Sequence, residues 1–159
     1  MASINEQHAS HIGRVQVSFF LYALDLEPNA ISEMIGVNAD QTAKRGDERR
    51  NYKGDLISPH DKGFWMVSSE SRVDSKDIND HINALLALLL PHQKRLSQLM
   101  DQLNAESYFD VLWTSSYLYA GTGPIISQKA LRGMSDLRAS IGFDIYEDEV
   151  DPPDLNEQQ

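Results

Sequence analysis

The chain has no cysteine among its 159 residues. That excludes a disulfide scaffold, thiol catalysis and every thiolate zinc site, and it fits a reducing compartment. Long apolar runs are missing too. The densest, Leu85 to Leu90, is far short of the roughly 20 residues needed to cross a bilayer. Met1 to Gly13 is polar, with no basic segment leading into an apolar one, so no secretory signal is expected and the cytoplasm is the expected compartment. Bases are scarce: 14 Lys and Arg stand against 24 Asp and Glu, a formal charge of −10. A net negative surface repels phosphate backbones and attracts basic proteins. Nucleic-acid and membrane partners are therefore not expected, whereas a basic protein partner is.

Recognisable catalytic and cofactor patterns are also absent. Gly121-Thr122-Gly123-Pro124 has the composition of a phosphate loop, but Ile126 stands where the dinucleotide fingerprint needs its third Gly. No Gly-Lys-Ser/Thr ending follows, and Pro124 removes an amide. Ser68-Ser69-Glu70-Ser71 and Ser115-Ser116 lack the setting of a nucleophile elbow. His8 and His11 lie near the start of the chain, Asp77 and His81 are one helical turn apart without a third ligand, and His92 falls on an apolar stripe. No metal and no cofactor are expected.

What is present is scaffold. Arg14 to Leu24 alternates, with Val15, Val17, Phe19, Leu21 and Ala23 on one face and Gln16, Ser18, Phe20 and Tyr22 on the other. Pro28 suits the first turn of a short helix that Gly36 ends. Residues 38–62 turn polar and read as one long loop. Phe64 to Ser71 reads as a strand. Ile78, Ile82, Leu85, Leu89, Leu96, Leu99 and Leu103 then mark one helix face, capped by Asp74 or Ser75 and broken or kinked at Pro91. Tyr108 to Tyr119 reads as a strand, Ser127 caps a helix that Gly142 terminates, and Phe143 to Tyr146 closes the fold. Glu147, Asp148, Glu149, Asp151, Asp154 and Glu157 form an acidic tail, without which 18 acids leave a balance of −4.

The expected organisation is a flexible N-terminus (1–13), a single α+β domain (14–146) and an acidic tail expected to be disordered (147–159). Two-faced strands argue against an all-parallel sheet covered on both sides. They favour a four-stranded mixed or antiparallel sheet with helices mainly on one face, close to the ferredoxin-like arrangement.

Four segments together carry a family resemblance. They are the Pro28-to-Gly36 helix; Lys44-Arg45-Gly46-Asp47; Gly63-Phe64-Trp65 with Ser68-Ser69; and Ile125-Ile126-Ser127, Leu131, Leu137, Gly142 and Phe143-Asp144-Ile145-Tyr146. In their order and spacing the chain resembles the bacterial domain-of-unknown-function family numbered 4279, from about Arg14 to Tyr146. The resemblance carries over no established activity. It implies at most an immunity-like role, since small acidic members of such families can accompany toxins.

The residues themselves offer two binding surfaces. Lys44, Arg45, Arg49, Arg50 and Lys53 against Asp47 and Glu48 give a local +3, with Gly46 free to adopt an unusual backbone angle. Such a loop either holds an anion, an acidic partner segment or the acidic tail, or is solvated with its charges paired. Asp47 is either a turn residue or an orienting partner for Arg45. Phe20, Tyr22, Tyr108 and Tyr117 are the aromatics expected on any uncovered sheet face, a partner or homodimer surface. Trp65 and Trp113 are either core anchors or ligand stackers. The leading expectation is a non-catalytic cytoplasmic interaction domain, in its sharpest form an immunity-like protein binding a basic partner. The alternative is a small-molecule domain holding an anionic ligand at the 44–53 loop. An enzyme built on Asp47, His60 and Asp61 comes third.

Overall fold

The computed structural model describes residues 12–115 and 123–147. Its frame is a five-stranded sheet in the order β2-β5-β1-β6-β7. The strands are β1 (Ile12–Ala23), β2 (Gln41–Ala43), β5 (Gly63–Ser68), β6 (Glu106–Ser115) and β7 (Ser140–Glu147). A separate two-stranded hairpin, β3 (Arg49–Arg50) with β4 (Leu56–Ile57), stands apart from it. The helices are α1 (Pro28–Ile35), α2 (Ile78–Leu89), α3 (Gln93–Leu103) and α4 (Gln128–Asp136), with a 3₁₀ turn at Leu90–His92 between α2 and α3.

The fold is α+β with a mixed sheet. β1 pairs antiparallel with both β5 and β6, β2 pairs antiparallel with β5, and β6–β7 is the parallel pair. Two expectations are corrected. The main sheet has five strands rather than four, because three residues of the presumed 38–62 loop pair with β5, and four more form the separate β3–β4 hairpin. The order and the β6–β7 edge pairing also do not bear out the ferredoxin-like arrangement.

Alternation decides which face the helices cover. Val15, Val17, Phe19, Leu21 and Ala23 of β1, Trp65 and Val67 of β5, and Phe109, Val111 and Trp113 of β6 join one core with Ile31, Ile82, Leu85, Leu89, Leu96 and Met134 of the helices. Fully burying such a side chain is worth about 1.5–3 kcal/mol, so the period-two pattern fixes the inward face of each strand. The residues between them, Phe20, Tyr22, Phe64, Tyr108, Asp110 and Leu112, are half-buried and stand outside that core.

Local chemistry sets the element ends. Pro28 opens α1, and Gly36 closes it at φ 70°, its N–H donating to the Ser32 carbonyl. Pro91 breaks the long helical run into α2, the 3₁₀ turn and α3, while Leu89 and Leu96 stay buried on one side. The cap of α2 is Asp77, which accepts the Asn79 N–H at 2.8 Å, rather than Asp74 or Ser75. Ser127 caps α4 through the Ala130 N–H. Gly142 does not end α4: the chain turns at Arg138, φ 57°, and Gly142 lies inside β7. Among the described residues no helix is long and apolar enough to cross a membrane.

Candidate functional site

The basic loop folds into turns and pairs. Asp47 Oδ2 accepts the Lys44 N–H at 2.7 Å, the Asp47 N–H returns to the Lys44 carbonyl, and Gly46, at φ 89°, donates to the His60 carbonyl. Asp47 is thus the turn residue. Lys44 pairs with Glu27 at 2.5 Å, and that hydrogen bond and charge hold its ammonium above the ordinary lysine range. Arg50 pairs with Glu48 at 3.2 Å and donates to the Gly54 carbonyl. Lys53 lies over the Tyr52 ring at the hairpin tip, where Asn51 Oδ1 accepts the N–H groups of Lys53 and Asp55.

Arg45 and Arg49 make no ion pair among the described residues. Arg49 lines an open hollow of about 400 Å³ with Tyr22, His60, Asp61, Lys62, Phe64 and Glu106. Lys62 is tied to Glu106 at 3.3 Å. The hollow therefore brings Arg49 to His60 and Asp61, but not Lys44, Arg45, Asp47 or Arg50. Its charges are mixed rather than basic.

Trp65 is fully buried and its indole N–H donates to Ser32 Oγ at 2.9 Å, so the structure makes it a core anchor and not a ligand stacker. Trp113 is likewise buried. Tyr117 lies outside the described residues, as do Gly121, Thr122 and the tail beyond Glu147. Asp77 is engaged as a helix cap, and His81 is buried between Ser69 Oγ and the Ser75 carbonyl.

The sheet face away from the helices holds the more coherent group, with Arg49 and His60 of the 38–62 segment at its edge. Register places Phe20 opposite both Tyr108 and Met66, and Tyr22 opposite Phe64. Phe20 and Tyr22 stack with centroids 5.3 Å apart, and Phe64 tilts against both at 5.8 and 6.0 Å. His60 continues the cluster 5.4 Å from Phe64. Offset and tilted rings at such spacing attract through their quadrupoles and hold one another rigid. Next to them Asp110 lies between Ser18 on β1 and Gly142 on β7.

Electrostatics mark this face. Burial, and then the charge of Asp144, hold the Asp110 carboxyl above the usual carboxylate range, against the opposing Tyr108 hydrogen bond. Tyr108 is raised by burial, then by Asp110 and Asp144. Tyr22 is raised by burial, then by Asp110 and Tyr108, with Arg49 pulling the other way. The Tyr108 hydroxyl donates to Asp110 Oδ1 across 3.5 Å. Its ring lies over Gly142, where a Cβ would land on the hydroxyl. Sequence reading found Phe20, Tyr22 and Tyr108 but missed Phe64, Asp110, Gly142 and Asp144. The signal for Asp110 was an acid at an alternating strand position; nothing local could signal that Gly142 would lie beside it.

No curated protein and no solved structure matches the chain significantly. The family model described as Domain of unknown function (DUF4279) matches residues 13–148, from the second residue of β1 to just past the end of β7. That match takes in every strand and helix described above except the first residue of β1, and the chain belongs to the DUF4279 family.

Proposed function

We propose that this chain is a non-catalytic, cytoplasmic protein-interaction domain that uses the open face of its sheet to bind a basic protein. The observation that carries the reading is the pre-packed ring group Phe20, Tyr22 and Phe64 on the face away from the helices, with Tyr108 opposite Phe20 and next to Asp110 and Asp144. Rigid aromatics supply contact area at low entropic cost, while the acids and the formal charge of −10 favour a partner of opposite sign. An immunity-like role, with a basic toxin domain as partner, is the sharpest form of this reading.

The anionic-ligand alternative draws less support. Lys44 and Arg50 are already paired, and the hollow beside Arg49 also contains Asp61 and Glu106.

The test compares capture of basic proteins by the whole chain, by a Tyr22→Ala/Tyr108→Ala double variant and by Leu131→Ala. Leu131 is an exposed residue of α4, on the helical side of the sheet. The expected result is one basic protein retained by the wild type and Leu131→Ala and lost by the double variant, with circular dichroism unchanged. Equal capture by all three would overturn the use of this face.

A further inference from the structure

Asp110 is placed where the sheet gives its carboxylate little company. The cross-strand row through it runs Ser68, Ser18, Asp110, Gly142, so its lateral neighbours carry almost no side chain. The next row is bulky, with Met66, Phe20 and Tyr108. On the other side Asp144 stands opposite Leu112 on β6 and adds a second carboxylate to the same face. A carboxylate offers about four acceptor sites. Among the described residues, the hydrogen bond that Asp110 accepts is from Tyr108, at the 3.5 Å limit. The nearby bases do not serve it. Arg14 is held by Glu70 and Gln16, and Arg49 faces the hollow.

A half-buried carboxylate and an exposed one beside aromatic rings make a setting that attracts one cation. The carboxylates supply charge and acceptors, and the rings supply their negative faces and cover a side-chain stem. A metal ion is the poorer fit, since no group of three or more potential ligands occurs among the described residues.

We propose that Asp110 and Asp144, flanked by Tyr108 and Phe20, seat one cationic side chain, an arginine or lysine, of the basic partner. The inference rests on the interaction reading above and specifies the chemistry that the face recognises. A guanidinium suits it well, because its planar fork can bridge carboxylate oxygens while its flat face lies on a ring. Tyr108 is the positioning residue: Gly142 leaves room for its ring, and that room sets its hydroxyl toward Asp110.

The experiment titrates the full ¹⁵N-labelled chain with N-acetyl-arginine amide, and in parallel with N-acetyl-citrulline amide, its neutral isostere. Arginine amide is expected to shift the amides of Tyr108, Asp110, Gly142 and Asp144 with a Kd of about millimolar order. Citrulline amide should leave them in place. Asp110→Asn should weaken the arginine response by about 5-fold or more, as loss of a charge-assisted pair does. Gly142→Ala should weaken it too, by displacing Tyr108 without changing any charge. Identical responses to the two amides, shifts scattered over unrelated acids, or an unchanged titration of Asp110→Asn would each overturn the seat. The two readings fail separately. If Asp110→Asn captures the basic partner as well as the wild type does, the seat is wrong and the face stands. If the Tyr22→Ala/Tyr108→Ala variant captures it equally, the face is wrong, and the amide titration still judges the seat.

Discussion

The hydroxyl of Ser69 accepts the Val17 N–H at 2.9 Å and meets His81 Nδ1 at 2.7 Å, while His81 Nε2 lies 2.8 Å from the Ser75 carbonyl. A carbonyl only accepts, so Nε2 carries a proton. In the neutral imidazole Nδ1 is then the acceptor, and the Ser69 hydroxyl, which accepts from Val17, donates to it. Every polar atom of this buried pair is thereby used in tying the end of β5 and the start of α2 to β1. A Ser–His contact that elsewhere would suggest a nucleophile is here a structural link. His81→Leu should cost about 1–3 kcal/mol in urea unfolding, since it strands the Ser69 hydroxyl and the Ser75 carbonyl. An unchanged midpoint would refute that role. Asp110 behaves in the opposite sense. Its folded pKa lies above the unfolded value, so the folded state holds the proton more tightly. Stability therefore falls as pH rises from the unfolded carboxylate range through the raised folded one. Asp110→Asn should be the more thermostable protein at pH 7, and its advantage should shrink as both forms are taken to acid. The same substitution should bring the late absorbance titration of Tyr22 and Tyr108 back toward about pH 10, the ordinary tyrosine value. A wild-type and variant that titrate alike would disprove the coupling.

Two helices approach closely where α4 packs against α2. A Cβ at Gly133 would lie 2.5 Å from Leu86 Cδ1, so the absence of a side chain there sets the approach of the two helices. Two effects oppose each other in Gly133→Ala. Helix propensity favours Ala by about 1 kcal/mol, whereas overpacking costs about 1–3 kcal/mol. The net expectation is a loss of up to about 2 kcal/mol. In a Leu86→Ala background the clash is gone, and the same change should become stabilising by about 1 kcal/mol. A double-mutant cycle on chemical unfolding reads that reversal of sign. The elements legible in the sequence were those whose reasons are local. β1 showed its alternation, α1 its Pro28 and Gly36, the α2–α3 break its Pro91, and α4 its Ser127 cap. β2 was not legible: Gln41, Thr42 and Ala43 carry no apolar alternation and become a strand because β5 offers an edge. Gly142 was misread for the same reason, since a Gly after a helix suggests a stop and only the pairing with β6 shows it under Tyr108. The basic loop was visible as charge, but its pairing through Glu27 and Glu48 depends on folded geometry. The open-face aromatics were half legible, because alternation assigns them a face without saying which strands bring acids beside them.

For the molecule as a whole, the proposed interaction assigns charge and shape to different steps of recognition. On the proposed reading, the formal charge of −10, of which the six acids from Glu147 onward carry −6, acts at a distance and speeds the approach of a basic partner. The ring cluster Phe20, Tyr22 and Phe64 acts only in contact, with centroid spacings of 5.3 to 6.0 Å. On the same reading, it sets how long the complex with the proposed partner lasts. Salt separates the two, because the Debye length falls from about 10 Å at 0.1 M to about 3 Å at 1 M. Raising the salt tenfold across that range should slow association by about 10-fold or more, and change dissociation far less. Tyr22→Ala should reverse the pattern, leaving association near the wild-type rate and hastening dissociation. Surface-immobilised partner and a flow of each variant would give both rate constants in one experiment. If salt acted mainly on dissociation, the acids would belong to the buried contact rather than to steering. If Tyr22→Ala slowed association instead, the rings would be serving to orient the encounter. Either result would remove the division between a long-range acidic field and a short-range aromatic grip on which the interaction reading depends.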